Sequence, residues 1–426
     1  MPTRPRDITT EEHRPPDLAP PKPVRPAFLA AFPTQVFVPL PRTATAVGRS
    51  WLADAGITDS KVSTEHLRLT RAGGKLQIED LTSRNGTWLN GIKLTPREPV
   101  PVEDGAILRL GGTLFVYREA YAGPDKPAPP LGALVGPWGL DTVHEALRDL
   151  EGSVPWNVLV EGESGAGKEL LSRHIATVYG RSRKPFASVN VAGVSPSLFE
   201  GQLFGWTRGA YTGSVEASPG ILGAHAGGTV FLDELGELPL ELQPKLLRFL
   251  DNHEVQPVGA PRTQKLDLLV IAATNRELQE EVTHGRFRLD MLARFRTRLT
   301  LPPLRERQED LYAIAKACWN SSPSTPPIDR AVIDVEAIER LMLHDWPDNV
   351  RGLERIIAFA QRRNELSMSL VSQQLGPLPE GAAVTLTREA VLAALARCGE
   401  NKSNAAKLLG VSRGKLLHWL KRNTRA

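Results

Sequence analysis

Residues 162–169 read Gly-Glu-Ser-Gly-Ala-Gly-Lys-Glu, a spacing able to hold phosphates. Gly162, Gly165 and Gly167 can turn backbone N–H groups toward an anion. Lys168 adds a point charge for the β- and γ-phosphates of a nucleotide. Glu163, Ser164 and Ala166 complete the loop, and Glu169 stands where a hydroxyl residue usually follows the lysine. Further on, Gly227–Leu232 runs as an apolar segment into Asp233 and Glu234. A carboxylate at the first position can hold Mg²⁺, and one at the second can polarise a water that attacks a γ-phosphate. Alone, the first pattern also fits a glycine-rich strand-to-helix turn and the second a strand end with N-capping acids. Together they point to ATP and Mg²⁺.

A different chemistry sits at the C-terminus. The chain has 426 residues, 52 basic and 48 acidic, for a net charge of +4. Residues 401–426 hold seven of the basic residues and no acid; without them the charge is −3. A basic end on a near-neutral body implies a local nucleic-acid contact. There, Asn404–Ala406 and Leu408–Ser412 give a helix, a glycine turn and a new helix capped by Ser412, which is helix-turn-helix spacing. An amphipathic packing hairpin would explain Leu416, Leu417 and Leu420 but not the charge.

Positioning these groups requires several domains. Eight of the first 26 residues are proline, so residues 1–31 read as a disordered tail. Residues 32–119 read as an all-β sandwich, with hairpins at Gly73-Gly74, Asn90-Gly91 and Gly111-Gly112. After a linker over 120–133, strands at Val158–Val160, Phe186–Val189, Val230–Leu232 and Leu268–Ala272 alternate with helices such as Lys168–Tyr179. That alternation predicts an α/β subdomain over 134–304 with a mostly parallel sheet. Beyond Pro302-Pro303 only helical patterns remain: a helical lid over 305–370, a linker over 371–384, and an all-α end over 385–426. No run of 18 apolar residues exists, so no membrane is expected. Cys318 and Cys398 lack metal-ligand spacing, which fits a cytoplasmic protein.

Residues 134–364 resemble the AAA+ ATPase domain of bacterial enhancer-binding proteins, the activators of sigma-54 RNA polymerase. The phosphate loop is close to the family's GESGTGKE. The block GGTVFLDELGELPLELQPKLLRFLDNHEVQPVG, VIAATNREL (270–278), LPPLRERQEDL (301–311) and WPDNVRGLE (346–354) follow in family order. The resemblance implies that Asn190 restrains Glu234, that Thr274 and Asn275 sense nucleotide, and that Arg288 and Arg294 reach a neighbouring subunit's ATP. It makes Arg351 the lid's sensor and implies a homo-oligomeric ring, hexamer or heptamer. Gly209-Ala210-Tyr211-Thr212-Gly213-Ser214 resembles the family's GAFTGA loop, which implies contact with sigma-54 holoenzyme. Tyr211 replaces phenylalanine, Ser214 replaces alanine, and Gln202 replaces a glutamate near the loop base.

Val47–Ser50, Ser63–His66 and Leu81–Thr87 resemble, in order, the forkhead-associated (FHA) domain, a phosphothreonine-binding sandwich. This implies that Arg49, Ser63 and Arg84 contact phosphate and that Asn85 holds the peptide backbone, with His66 bracing the loop from within. The ligand would be a phosphothreonine-containing protein or a Ser/Thr kinase. Asn90-Gly91 reads as a hairpin turn only. Residues 390–422 resemble the Fis-type helix-turn-helix. This implies that Arg413, Lys415, His418 and Trp419 face the major groove of enhancer DNA, with Lys402, Lys421 and Arg422 nearer phosphates. The whole then reads as a phospho-regulated, sigma-54-dependent transcription activator. Two alternatives stay open: a phospho-regulated DNA-binding protein that remodels no sigma-54 holoenzyme, and an AAA+ remodeller acting away from DNA.

Overall fold

The computed structural model describes residues 24–150, 157–192, 196–210, 216–322, 325–376, 388–399, 401–409, 416 and 420. Two sheets form the front domain. One has the order β2-β1-β10-β9-β6-β7, from β1 (Arg25–Phe32), β2 (Val36–Pro39), β6 (Thr87–Leu89), β7 (Ile92–Lys93), β9 (Ile107–Leu110) and β10 (Thr113–Tyr121). The other has the order β3-β4-β5-β8, from β3 (Thr45–Val47), β4 (Leu67–Ala72), β5 (Lys75–Asp80) and β8 (Val100–Pro101). Phe28, Leu67, Ile78, Leu108 and Phe115 fill the space between them. The hairpins turn at Gly73-Gly74, Asn90-Gly91 and Gly111-Gly112, as the sequence predicts.

The N-terminal boundary needs correction. β1 begins at Arg25, inside the expected tail, and pairs with both β2 and β10. The proline-rich stretch ends at Pro26, and Ala27–Phe32 is an unbroken apolar run that can only be stable when both of its faces are covered. β10 likewise runs past 119 to Tyr121. The segment expected as a linker is anchored: Leu131 and Leu134 form a β-bridge, and both are buried.

The second domain is built on five parallel strands in the order β12-β13-β16-β11-β17. These are β11 (Asn157–Glu161), β12 (Phe186–Asn190), β13 (Thr229–Asp233), β16 (Leu269–Thr274) and β17 (Thr297–Thr300), with a short hairpin of β14 (Glu254–Val255) and β15 (Gln264–Lys265) inserted before β16. Alternate residues face opposite sides. Val158, Val160, Phe231 and Ile271 pack toward helices Asp141–Asp149 and Lys168–Val178. Leu159, Val230, Leu232 and Val270 pack toward helix Gln243–Asn252. This is the expected α/β layer arrangement.

Beyond residue 303 come helices Leu311–Asn320, Val335–Met342, Asn349–Gln361 and Met368–Leu375. They are not alone, since β18 (Val332–Ile333) and β19 (Glu365–Leu366) form a small parallel pair. The last of these helices crosses the expected lid boundary at 370, because Leu370 and Val371 are buried in the lid core. At the C-terminal end, helices Arg388–Arg397 and Lys402–Leu408 pack through Val391, Leu395, Ala405 and Ala406, with Leu416 buried against them.

Candidate functional site

In a parallel sheet the carboxyl ends of the strands share one edge, and ligands bind outside that edge. Here the edge is formed by Glu161, Asn190, Asp233 and Thr274; Asn190 aligns with Asp233 and Glu161 with Thr274. The phosphate loop leaves β11 at this edge and enters helix Lys168–Val178, which Gly167 caps in a left-handed conformation at φ 109°. Gly165, at φ 75°, leaves no room for a side chain: an added Cβ would lie 2.3 Å from the Asp348 carbonyl oxygen. The loop thus depends on glycine both for its turn and for its contact with the lid.

Lys168 is only 7% exposed. Its Nζ donates to the Gly162 oxygen at 2.9 Å and the Glu163 oxygen at 3.1 Å. Burial lowers its pKa, while the charges of Glu234 and Asp233 oppose that shift. Glu234 shows the reverse: burial raises its pKa and Lys168 opposes the rise. Its backbone is left-handed at φ 57°, its N–H donates to Asp233 Oδ1 at 3.0 Å, and its buried Oε2 has no hydrogen-bond partner. A half-buried carboxylate with one free oxygen beside a buried lysine fits a base awaiting a water.

Other expected residues fall less simply. Thr274 is buried, and its Oγ1 accepts from the Arg276 N–H at 3.1 Å. The Asn275 backbone hydrogen-bonds Glu234 and lowers its pKa. Asn190 Oδ1 accepts from the Ala192 N–H at 2.8 Å, so it braces its own turn and is not bonded to Glu234. Arg351 starts the lid helix against Gly165, with its Cβ 3.2 Å from where a Gly165 Cβ would stand. Arg288 is bidentate to Asp290, with bonds of 3.0 and 2.7 Å, and Arg294 pairs with Asp251; both arginines are 43% exposed. Gly209 and Ala210 extend from a stem in which Trp206 bridges Ser218 and Val258. Tyr211, Thr212, Gly213 and Ser214 lie outside the described residues.

Four side chains escape sequence reading. Asn349, fully buried at φ 51°, donates from Nδ2 to Glu163 Oε2 and the Ser164 oxygen, and accepts from the Leu304 N–H. Arg305 clamps Glu163 from the lid side, and Arg307 donates to the Ala166 oxygen at 3.0 Å. Gln243 accepts from the Arg288 N–H and donates to the Leu238 and Arg286 oxygens, tying the Arg288 segment to the turn after Glu234. Asn349 and Arg305 lie in blocks already noted, but their phosphate-loop partners are more than 140 residues away in the chain. The hairpin β14–β15 also supports the loop stem: an added Cβ at Gly259 would lie 2.7 Å from Thr207 Oγ1.

The sandwich gathers its own set. Arg49 Nε donates to the Val62 oxygen at 3.1 Å, Ser63 Oγ accepts from the Arg84 N–H at 3.1 Å, and Asn85 Nδ2 donates to the Lys61 oxygen at 2.6 Å. Arg49, Arg84 and Asn85 are exposed, which leaves two guanidinium groups and a hydroxyl at one loop cluster. His66 is fully buried beneath it, accepting at Nδ1 from the Ser63 N–H and reaching the Gly86 oxygen through Nε2. Asp80 adds bonds from Ser83 and Thr87. Of the expected DNA contacts, Lys402 is exposed at a helix start; Arg413, Lys415, His418, Trp419, Lys421 and Arg422 lie outside the described residues.

Among the described residues no helix is long and apolar enough to cross a membrane, and no group of three or more His, Cys, Asp or Glu side chains could by itself hold a metal. Mg²⁺ at phosphate sites usually needs only one or two carboxylates, with phosphates and waters supplying the rest, so Asp233 fits that role.

These features define a phosphate-loop α/β domain with a helical lid, joined to a β-sandwich with a polar recognition edge. Residues 140–300 match the family model described as the sigma-54 interaction domain, and residues 45–111 match the FHA domain. The chain is 39% identical over 265 residues to the regulatory protein LuxO of Vibrio cholerae, covering 60% of this chain and 50% of LuxO. It is 37% identical over 279 residues to the transcriptional regulatory protein ZraR of Klebsiella oxytoca, covering 62% and 63%. The chain therefore spans between half and under two thirds of these relatives' length. A crystal structure of NtrX from Brucella abortus in complex with ATP aligns with a TM-score of 0.49 at 28% identity, over 68% of each chain. The chain carries a sigma-54 interaction domain and an FHA domain.

Proposed function

We propose that this protein is an ATP-hydrolysing, sigma-54-dependent transcription activator. It would bind enhancer DNA through its C-terminal end and answer to phosphothreonine through its FHA domain. The observation that carries the reading is the pairing of buried Lys168 with Asp233 and Glu234 at the carboxyl edge of the parallel sheet, inside the sigma-54 interaction match. Lys168 leaves its two backbone carbonyls for the β- and γ-phosphates. Asp233 would hold Mg²⁺, which would supply charge to neutralise the phosphates. Glu234 takes a proton from the attacking water through its free Oε2. Thr274 and Asn275 sense nucleotide, the latter through its backbone bond to Glu234, and Arg351 carries nucleotide state to the lid. Arg288 and Arg294, exposed and held by acids, complete a neighbour's site in a homo-oligomeric ring. Gly209–Ser214 contacts sigma-54 holoenzyme. Arg49, Ser63, Arg84 and Asn85 receive phosphothreonine, because a guanidinium fork plus a hydroxyl suits a dianion. The cytoplasm is where such partners meet.

The test is transcription in a purified system with sigma-54 holoenzyme and ATP. Wild-type chain should open a sigma-54 promoter. Thr212→Ala should hydrolyse ATP yet fail to open it, and equal transcription by both would remove the sigma-54 contact from this loop. A chain lacking residues 385–426 should lose enhancer binding; unchanged affinity would remove the DNA assignment.

A further inference from the structure

The outer face of the FHA sheet is not exposed. In β1, β9 and β10 the residues that point away from the sandwich core are Ala31, Phe32, Ile107, Leu114 and Val116. They are buried with Leu304, Leu311, Tyr312 and Ile314 of the lid in a single apolar cluster. Phe32 and Tyr312 meet edge-to-face, with ring centroids 4.7 Å apart. Charges close the contact. Arg109 of β9 pairs with Glu336 and Glu339 of helix Val335–Met342, each at 2.8 Å, and its side chain is 8% exposed. Arg118 of β10 donates to Glu309 Oε1 at 3.1 Å and the Glu306 oxygen at 2.9 Å. Trp138 Nε1 donates to Gln35 Oε1 at 2.7 Å.

The lid segment that Arg118 holds is the segment that holds the phosphate loop. Within residues 304–310, Glu306 and Glu309 face Arg118, while Arg305 and Arg307 bond Glu163 and Ala166. On the other side, Arg109 stacks on Trp88, 3.8 Å from the ring centroid. Trp88 lies three residues after Asn85, in the strand that leaves the recognition edge.

We propose that the FHA domain is a fixed buttress of the lid, and that its recognition edge and the nucleotide site are coupled through Trp88–Arg109–Glu339 and Arg118–Glu309. The inference rests on the nucleotide and phosphothreonine readings above. It excludes a sensor that swings on a tether, because leaving the lid would part Arg109 from Glu336 and Glu339, leave Arg118 only its 3.7 Å pair with Asp104, and expose the apolar cluster. Coupling between sites is reciprocal and typically amounts to about 5- to 150-fold in affinity.

The test uses the full chain and ADP as probe. Hydrogen exchange with and without ADP should show slower exchange in β9, β10 and the Asn90-Gly91 turn when ADP is bound. Arg118→Glu should change ADP affinity by about fivefold or more. Combining it with Glu309→Arg should restore affinity, and Arg71→Glu, elsewhere on the sandwich, should leave it unchanged. ADP binding with unaltered exchange in the sandwich would overturn the coupling alone, and that measurement stands even if Arg118→Glu fails to fold. No ADP binding at all would overturn the nucleotide site itself, and the coupling with it.

Discussion

At the scale of single residues, Glu234 and His66 illustrate how burial assigns protonation. Glu234 has one oxygen buried and unpartnered, and burial raises its pKa. Replacing it with glutamine keeps the shape but removes the proton acceptor. Glu234→Gln should therefore bind ATP as the wild type does and hydrolyse it about 10²- to 10⁴-fold more slowly, as measured by phosphate release. Unchanged hydrolysis would assign the base elsewhere. His66 accepts from one backbone N–H, so its other nitrogen must carry the proton that reaches Gly86. A second proton would set N–H against N–H, and burial lowers the pKa in agreement. The unfolded chain then binds more protons below pH about 6.5, so this group's stabilisation is complete above that pH and is lost as pH falls through the folded pKa. Melting followed from pH 7 to pH 5 should show a decline that His66→Gln reduces; equal slopes would mean that His66 does not titrate in this window.

At the scale of elements, the hairpins of the sandwich and the parallel strands were legible because turn pairs and apolar runs are local signals. β1 was not, since its apolar run follows a proline-rich stretch and its second face is covered only by tertiary contact. The same cause hid the double role of Asn90-Gly91. It is a hairpin turn, but its backbone also bonds Glu339, and an added Cβ at Gly91 would lie 3.1 Å from Leu343 Cδ1. Within the site, Lys168, Asp233 and Glu234 were readable from spacing. Asn349 was not, because its partners come from the phosphate loop and from Leu304. That residue joins two elements at once: it begins the lid helix and fixes the loop that starts helix Lys168–Val178. Asn349→Ala should cost about 3 kcal/mol, combining left-handed backbone strain with buried bonds lost. Asn349→Gly loses the same side-chain bonds without the strain and should cost less, although both should weaken nucleotide binding. Denaturant melts of the two variants decide this; equal losses would leave the hydrogen bonds as the whole effect.

At the scale of the whole molecule, the chain reads in sequence as three modules on linkers, but its first two modules share a core. The reason lies in the period of the outer strands. Ile107–Leu110 is buried at every position, and Leu114–Tyr117 likewise, although a sandwich needs only alternate residues inside. Such runs announce a covered outer face, but not what covers it. The cover proves to be lid helix Leu311–Asn320 and its neighbours, so the lid's own apolar surface is completed by residues nearly 200 positions earlier. Removing residues 1–122 should therefore not release a free-standing phosphate-loop domain. It would expose Leu311, Tyr312 and Ile314 to water and leave Glu339 buried without Arg109. Each large apolar side chain returned to water forfeits about 1.5–3 kcal/mol. Several together approach the 5–15 kcal/mol or so that holds a whole domain folded. The truncated chain should melt at least about 10 °C lower than the full chain in calorimetry and associate through the exposed face. Replacing Leu311 and Ile314 with glutamine in the truncated chain should reduce that association. A truncated chain that melts at the full chain's temperature and stays monomeric would show that the lid closes its own core, and that the FHA contact contributes little to folding.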